Sequence, residues 1–380
     1  MRRTGCLIEQ IAEMDNLLMA FYKAQKCKNA KAEVVRYREH LQDHLLRMRQ
    51  QLLSGRVDVG HYHTFMIYDP KKRTICATAF DERVLQHALM RVCHCYFDRH
   101  LISDTYATRL GKGTYAALDR AHRAMAHYRY VAKLDVRKYF DSVDHALLKA
   151  QLARLFKDPV LLSVFDQIID SYQSDRPGCG LPMGNLTSQY FANHYLSAFD
   201  HFVKERLRVP CYIRYMDDML LFGHDRAEVA RWVEEVKSYL AARLHLQVKP
   251  PQIVSVGQGV SFLGYRLSAH RIGLNSRSRN RFRRKLNRYG LLLSSDVWGQ
   301  NEYRAHVAPL MAFVQYAYSK RYRQSILKSQ TARLEPRESG WQLEQQRQEL
   351  PRVESQQQYA FQPQQQPRLP RRSGSSAYEL

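Results

Sequence analysis

The chain has 380 residues, 45% of them hydrophobic, enough for one large or two ordinary domains with a real core. Its 59 Lys and Arg against 36 Asp and Glu leave a formal charge of +23, which points to a polyanionic partner but identifies no chemistry. The start Met1-Arg2-Arg3 leads directly to Glu9, Glu13 and Asp15, and no run of about 18 apolar residues follows, so neither signal peptide nor membrane span is expected.

Seven cysteines, at positions 6, 27, 76, 93, 95, 179 and 211, are odd in number and scattered, which suits reduced thiols better than a disulfide framework. Cys93 and Cys95 lie near His87, His94 and His100. On a helix, positions two apart diverge, and no second pair completes a zinc site, so buried structural cysteines are expected.

Leu7, Ile8, Ile11, Met14, Leu17, Leu18 and Phe21 recur at three- and four-residue spacing, predicting an opening helix; a second covers about 34–53 before Ser54-Gly55. Residues 62–80 alternate as strands around Asp69-Pro70-Lys71-Lys72, a basic-tipped hairpin. A helix over about 81–97 follows, then the basic loop Arg109-Leu110-Gly111-Lys112-Gly113 and a helix to about Tyr128. From Tyr130 come a strand, helices over 144–155 and 158–172, a loop over 174–184 and a helix over 186–207. Two apolar strands then flank Tyr215-Met216-Asp217-Asp218, before a helix over 226–243 and two short strands. This alternation predicts an α+β fold, a mixed sheet backed by helices in the ferredoxin-like arrangement. Between 277 and 288, seven of twelve residues are Lys or Arg, and a last apolar helix covers about 303–320. Eleven of the 25 residues from Gln342 to Gln366 are glutamine, so 330–380 is expected to be a disordered tail.

Asp135 falls where an apolar strand ends, and Asp217 and Asp218 where a hairpin tip would lie. Each alone reads as an ordinary turn aspartate, but adjacent acids between apolar strands are costly unless a cation offsets them. Magnesium, a hard cation that keeps several waters, needs only a few converging carboxylates. Two such ions about 3.5–4 Å apart serve in-line phosphoryl transfer, deprotonating a hydroxyl and neutralising the pyrophosphate that leaves.

Four segments resemble reverse transcriptase motifs in order: Leu134 to Asp141 (first metal motif), Gly180-Leu181-Pro182-Met183-Gly184 (nucleotide-pocket loop), Tyr215-Met216-Asp217-Asp218, and Ser261-Phe262-Leu263-Gly264-Tyr265 (primer grip). The resemblance covers about residues 1–325. It implies a right-hand polymerase: an N-terminal helical segment (1–60), fingers (61–130), a ferredoxin-like palm (131–270) with a fingers insertion at about 144–185, a basic helical thumb (271–329) and the tail (330–380). It also implies an RNA-directed DNA polymerase with two Mg2+ ions, for which Mn2+ can substitute. Asp135, the Val136 carbonyl, Asp217 and Asp218 match the metal ligands, and the three aspartates the catalytic residues. Phe140 matches the aromatic beneath the incoming sugar that would clash with a 2′ hydroxyl; plain core packing is its bland alternative. Lys72, Arg73 and Arg109 match cations for the triphosphate, or general backbone contacts, and Lys249 matches the lysine that protonates pyrophosphate. Met183, Gly184 and Gln189 match the pocket loop and its helix, and Phe262, Leu263 and Gly264 the primer grip. The 277–288 run resembles a thumb helix tracking the nucleic-acid backbone, with a solvated basic face as its bland alternative.

Leu181-Pro182-Met183-Gly184-Asn185-Leu186-Thr187-Ser188-Gln189 narrows the group, because retroviral and group II intron enzymes place Gln before the Gly. An apolar residue there, followed by Ser-Gln, resembles the reverse transcriptases of bacterial and phage diversity-generating retroelements, although Ile, Val or Leu is commoner at position 183. That resemblance implies error-prone cDNA made from a template-repeat RNA for mutagenic retrohoming. It further implies template RNA, a DNA or RNA primer, deoxynucleoside triphosphates, a small basic accessory protein oligomer, no membrane, and a bacterial cytoplasmic or nucleoid location. Two rivals are a reverse transcriptase of another bacterial lineage (intron-like, retron-like or defence-associated) and an inactive RNA-binding scaffold with the same fold.

Overall fold

Apolar spacing does build helices at the N-terminus, but in shorter pieces than the periodicity predicts. A computed structural model describes residues 5–68 and 72–334; the Asp69-Pro70-Lys71 tip and the 335–380 stretch of the expected tail lie outside the described residues. Two units, Met1–Gln330 and Thr331–Leu380, make up the chain. Helices α1 (Leu7–Ile11) and α2 (Met14–Ala24) are separated at Ala12 and Glu13. Helices α3 (Ala32–Glu39) and α4 (Leu41–Ser54) divide at His40, whose φ of −118° and ψ of 35° leave the helical region. Gly55 ends α4 in the left-handed conformation, φ 67°, as expected of the Ser54-Gly55 stop.

Strands β1 (Tyr62–Ile67) and β2 (Arg73–Thr78) pair antiparallel with Ile67 opposite Arg73, and α5 (Phe80–His100) and α6 (Thr114–His127) follow. The sheet that positions the site has four antiparallel strands, β3 (Tyr130–Asp135), β4 (Cys211–Tyr215), β5 (Asp218–Gly223) and β6 (Gln252–Ser255), in the order β4-β5-β3-β6. Helices α7 (His145–Leu155), α8 (Pro159–Asp170), α9 (Leu186–Tyr195) and α10 (Ser197–His201) connect β3 to β4, and α11 (Arg226–Leu244) connects β5 to β6. Strand-helix-strand-strand-helix-strand with β3 and β5 central is the expected ferredoxin-like order, but every pairing is antiparallel, so the sheet is not the mixed one expected.

Alternation along the strands sends Val131, Ile213, Leu220 and Phe222 into one apolar layer with α6. Ala132, Leu134, Met219 and Leu221 enter the other with α11. Both faces are therefore covered, which is why these strands read as nearly continuous apolar runs. Asp158 ties the N-terminal helices to this body: it caps α8 by accepting from Val160 and Leu161 N–H, both at 3.1 Å, and accepts from Leu7 and Ile8 N–H at 2.8 and 2.9 Å. One buried acid so satisfies four helix-start donors, a set worth on the order of 2 kcal/mol.

The helix predicted over 186–207 is broken. It stops at Leu196, resumes as α10, and widens into a π-turn over Phe202–Arg206. Strands β7 (Val260–Phe262), β8 (Tyr265–Leu267) and β9 (Ile272–Leu274) form a separate three-stranded sheet, and α12 (Ser276–Ser294) carries the basic run. The last helix is also corrected: α13 (Gln300–Gln315) stops short of 320, and α14 (Lys320–Leu334) enters residues assigned to the tail. Cys93 is buried as expected, whereas Cys95 is exposed, and all seven cysteines are free. Among the described residues, no helix is long and apolar enough to cross a membrane.

Candidate active site

Asp135 ends β3 and lies directly opposite Asp218, the first residue of β5. Because Tyr215 pairs with Asp218, the β4–β5 hairpin turns on two residues, Met216 and Asp217. Met216 has a φ of 53°, at the first loop position where primed hairpin turns need a positive value. The β3–β5 register and this two-residue turn thus gather Asp135, Asp217 and Asp218 at one end of the sheet.

Their electrostatics follow from that crowding. Burial, then Asp218 and Asp135, pushes the Asp217 carboxyl up to about 6. Burial also raises Asp218; Lys133 opposes this and Asp135 adds to it. Lys249 Nζ lies 2.5 Å from Asp135 Oδ1, and Lys133 Nζ lies 3.6 Å from Asp218 Oδ1 while donating to the Ser261 carbonyl at 2.9 Å. Asp218 Oδ1 is buried without a hydrogen-bond partner, the condition expected of an oxygen that a cation would complete. Among the described residues, no group of three or more His, Cys, Asp or Glu side chains is placed so as to hold a metal ion by itself. The donor set fits a hard divalent ion that retains waters and borrows substrate oxygens, rather than a fully protein-coordinated metal. Val136 adds a further oxygen: it bridges Val248 while Asp135 O and Arg137 N make the flanking bonds to Lys249 N and Gln247 O, so its own carbonyl faces the opposite side, toward β5.

Asp135 and Asp218 line a cleft of about 320 Å³ with Arg73, Ser261 to Gly264, Arg277 and Arg281. Arg73 therefore reaches the acids' cleft from the β1–β2 hairpin, and Phe262, Leu263 and Gly264 reach it from the β7–β8 turn. Lys72 is exposed beside the hairpin tip. Phe140 is half-buried; its carbonyl accepts from Leu181 N–H at 2.8 Å, which ties the pocket loop to the end of β3. The Met183 carbonyl accepts from Cys76 N–H at 2.9 Å, and a side chain at Gly184, φ 120°, would meet Ile75 at 3.0 Å, so the loop packs against β2. Gln189 is exposed, with Thr108 Oγ1 at 3.5 Å. Arg109 is not gathered here. Its guanidinium is engaged by Asp98, 2.7 Å away, and by the Ile102 and Thr105 oxygens, so it pins its own loop and offers little to a triphosphate.

Lys133 and Arg214 belong to the site although no motif above assigns them a role. Each is a lone cation inside an apolar strand, a signal that could have found both. Arg214 is fully buried against Asp200 and also donates to the Met216 carbonyl at 3.1 Å.

Residues 68–267 match the family described as reverse transcriptase (RNA-dependent DNA polymerase). The chain is 23% identical to Protein YkfC of Escherichia coli (strain K12) over 318 residues, 70% of this chain and 78% of that protein. It is 20% identical over 286 residues to the group II intron-encoded protein LtrA of Lactococcus lactis subsp. cremoris, covering 57% of this chain and only 48% of LtrA. Among solved structures it is similar to a C-terminally truncated apo telomerase of Candida tropicalis (TM-score 0.44, 13% identity, 56% of this chain and 55% of that one). It is similar also to the Candida albicans telomerase in complex with a fragment of telomeric RNA (TM-score 0.46, 12% identity, 73% and 58%).

Proposed function

Since the chain belongs to the reverse transcriptase family of RNA-dependent DNA polymerases, we propose that it makes error-prone cDNA from a template-repeat RNA of a diversity-generating retroelement, with Asp135, Asp217 and Asp218 holding two Mg2+ ions. The observation that carries the catalytic part is the Asp135–Asp218 cross-strand pair beside the Met216-Asp217 turn, with one buried carboxylate oxygen that makes no hydrogen bond. When bound, magnesium supplies the charge that activates a 3′ hydroxyl and neutralises pyrophosphate. The chain's own groups orient the rest. Arg73 and Lys72 bind the triphosphate, Phe140 bars a 2′ hydroxyl, and Lys249, paired with Asp135, protonates departing pyrophosphate. Arg277 and Arg281 contact primer phosphates from α12. In this reading the β1–β2 hairpin belongs to the fingers, the four-stranded sheet to the palm, and α12 to α14 to the thumb, while a small basic protein oligomer assists.

Asp217→Asn with Asp218→Asn should abolish primer extension in Mg2+ and leave RNA affinity within about threefold, because phosphate contacts supply most of it. Residual extension above a tenth of wild type would move the metal site elsewhere. The retroelement reading is supported by the pocket loop, where Met183 offers only a weak acceptor in place of an amide. Losing one such hydrogen bond, about 1–2 kcal/mol, reduces discrimination roughly five- to thirtyfold. Sequencing cDNA copied from a defined RNA, with the accessory protein present, should give substitutions concentrated opposite template adenine; errors spread evenly over the four bases would overturn the subtype.

A further inference from the structure

We propose that Arg214 is a positioning residue of the polymerase: its guanidinium holds the Met216 carbonyl, and through that turn sets how Asp217 and Asp218 face the metal. This rests on the assignment of those two acids above. Arg214 and Asp200 are both fully buried. Nε donates to Asp200 Oδ1 at 2.7 Å and Nη2 to Asp200 Oδ2; Nη2 also donates to the Asn193 carbonyl at 3.1 Å, and Nη1 to Asn193 Oδ1 at 2.9 Å. The remaining N–H goes to Met216 O at 3.1 Å. All five donors of the fork are thereby used.

Four of the five bonds anchor the guanidinium to α9 and α10, and only the fifth touches the turn. Asn193 is itself oriented, since its Nδ2 donates to the Ala107 carbonyl at 2.9 Å and leaves Oδ1 facing Arg214. The Arg214 backbone is fixed as well: its N–H donates to Asp104 O and its carbonyl accepts from Tyr106 N–H, both at 3.0 Å. A rigid group therefore grips a residue whose φ of 53° costs a side chain with a Cβ about 1–2 kcal/mol. Arg214 alternates with Tyr215, so it acts from the face of the sheet opposite the acids, beneath their turn. Charge compensation explains the Asp200 contact; it does not require the bond to Met216.

Two variants separate positioning from packing. Arg214→Met with Asp200→Leu and Tyr212→Phe replaces the buried polar group by apolar side chains, the phenol being included because Tyr212 Oη donates to Asp200 at 2.9 Å. Arg214→Lys keeps a charge beside Asp200 and removes the fork. In each variant that folds, primer–template affinity and the KM for deoxynucleotide should stay within about twofold, kcat should fall about 10- to 100-fold, and the Mn2+ binding midpoint of the nucleotide-free protein, read by electron paramagnetic resonance, should rise several-fold. A lowered melting temperature with kcat and the Mn2+ midpoint unchanged per folded molecule, in either variant, would overturn the proposal. Activity surviving in the Asp217→Asn, Asp218→Asn protein would instead remove the assignment on which it rests.

Discussion

Phe140 shows how a single side chain can be read two ways. It packs half-buried beside Tyr139, rings 5.8 Å apart, and its backbone holds the loop that carries Met183. If the ring bars a 2′ hydroxyl, Phe140→Ala should raise ribonucleotide relative to deoxyribonucleotide incorporation by about 10- to 200-fold, the scale of one steric mismatch in a pocket. An unchanged ratio in a folded variant leaves the ring as core. Asp217 makes a second prediction at this scale. Its folded pKa of about 6 lies above the ordinary 3.8 because of burial, Asp218 and Asp135, with Lys249 opposing. Between those values the metal-free native state keeps a proton that the unfolded chain has lost. Stability should therefore fall as pH rises from about 4 to 6, by up to about 3 kcal/mol, and bound divalent cation should restore it above that range. Melting temperatures of wild type minus Asp217→Asn across pH, with and without Mg2+, isolate the effect; in the metal-free protein the difference should turn negative as pH rises, and one that stays flat or turns positive would sink it.

Among the elements, the β7–β8 hairpin makes the sharpest demand on sequence. Leu263 and Gly264 have φ values of 47° and 90°, and a Cβ at Gly264 would sit 3.0 Å from the Phe313 ring and 3.2 Å from Ser278 Oγ. Gly264→Val should cost about 1–3 kcal/mol and weaken primer binding, because α12 and α13 close directly on the turn. Thermal denaturation and a primer–template titration report the two effects, and a variant normal in both would free the hairpin of this role. The acid-bearing hairpin was legible from sequence because Cys211 to Tyr215 and Met219 to Phe222 are apolar on both sides of a polar tip. The broken elements were not. Helical periodicity runs unbroken through 186–207, yet the backbone leaves the helix at Leu196, where φ is −92° and ψ 1°, and Asn193 and Asp200 on either side both serve Arg214. Local pattern cannot report a partner on a distant strand. For the same reason Arg109 looked available, when its charge is taken by Asp98 eleven residues earlier.

Across the whole molecule, the charge of +23 is not spread evenly: α12 alone brings seven basic residues between 277 and 288, and Arg277 and Arg281 reach the cleft with the acids. The covered sheet has a different consequence. β3 is hydrogen-bonded to β5 on one edge and β6 on the other, and both of its faces lie under apolar layers. Exposing a β3 amide to solvent therefore means dismantling both layers, so its hydrogens should be among the last to exchange with deuterium. Asp135 stands at the end of that slow-opening strand, whereas Arg73, Phe262 to Gly264, Arg277 and Arg281, proposed above to meet substrate, hang from hairpins and helices around it. If synthesis runs as proposed, motion is thereby sorted in advance: the surroundings can yield as a duplex advances, while Asp135 remains a stationary anvil beneath it.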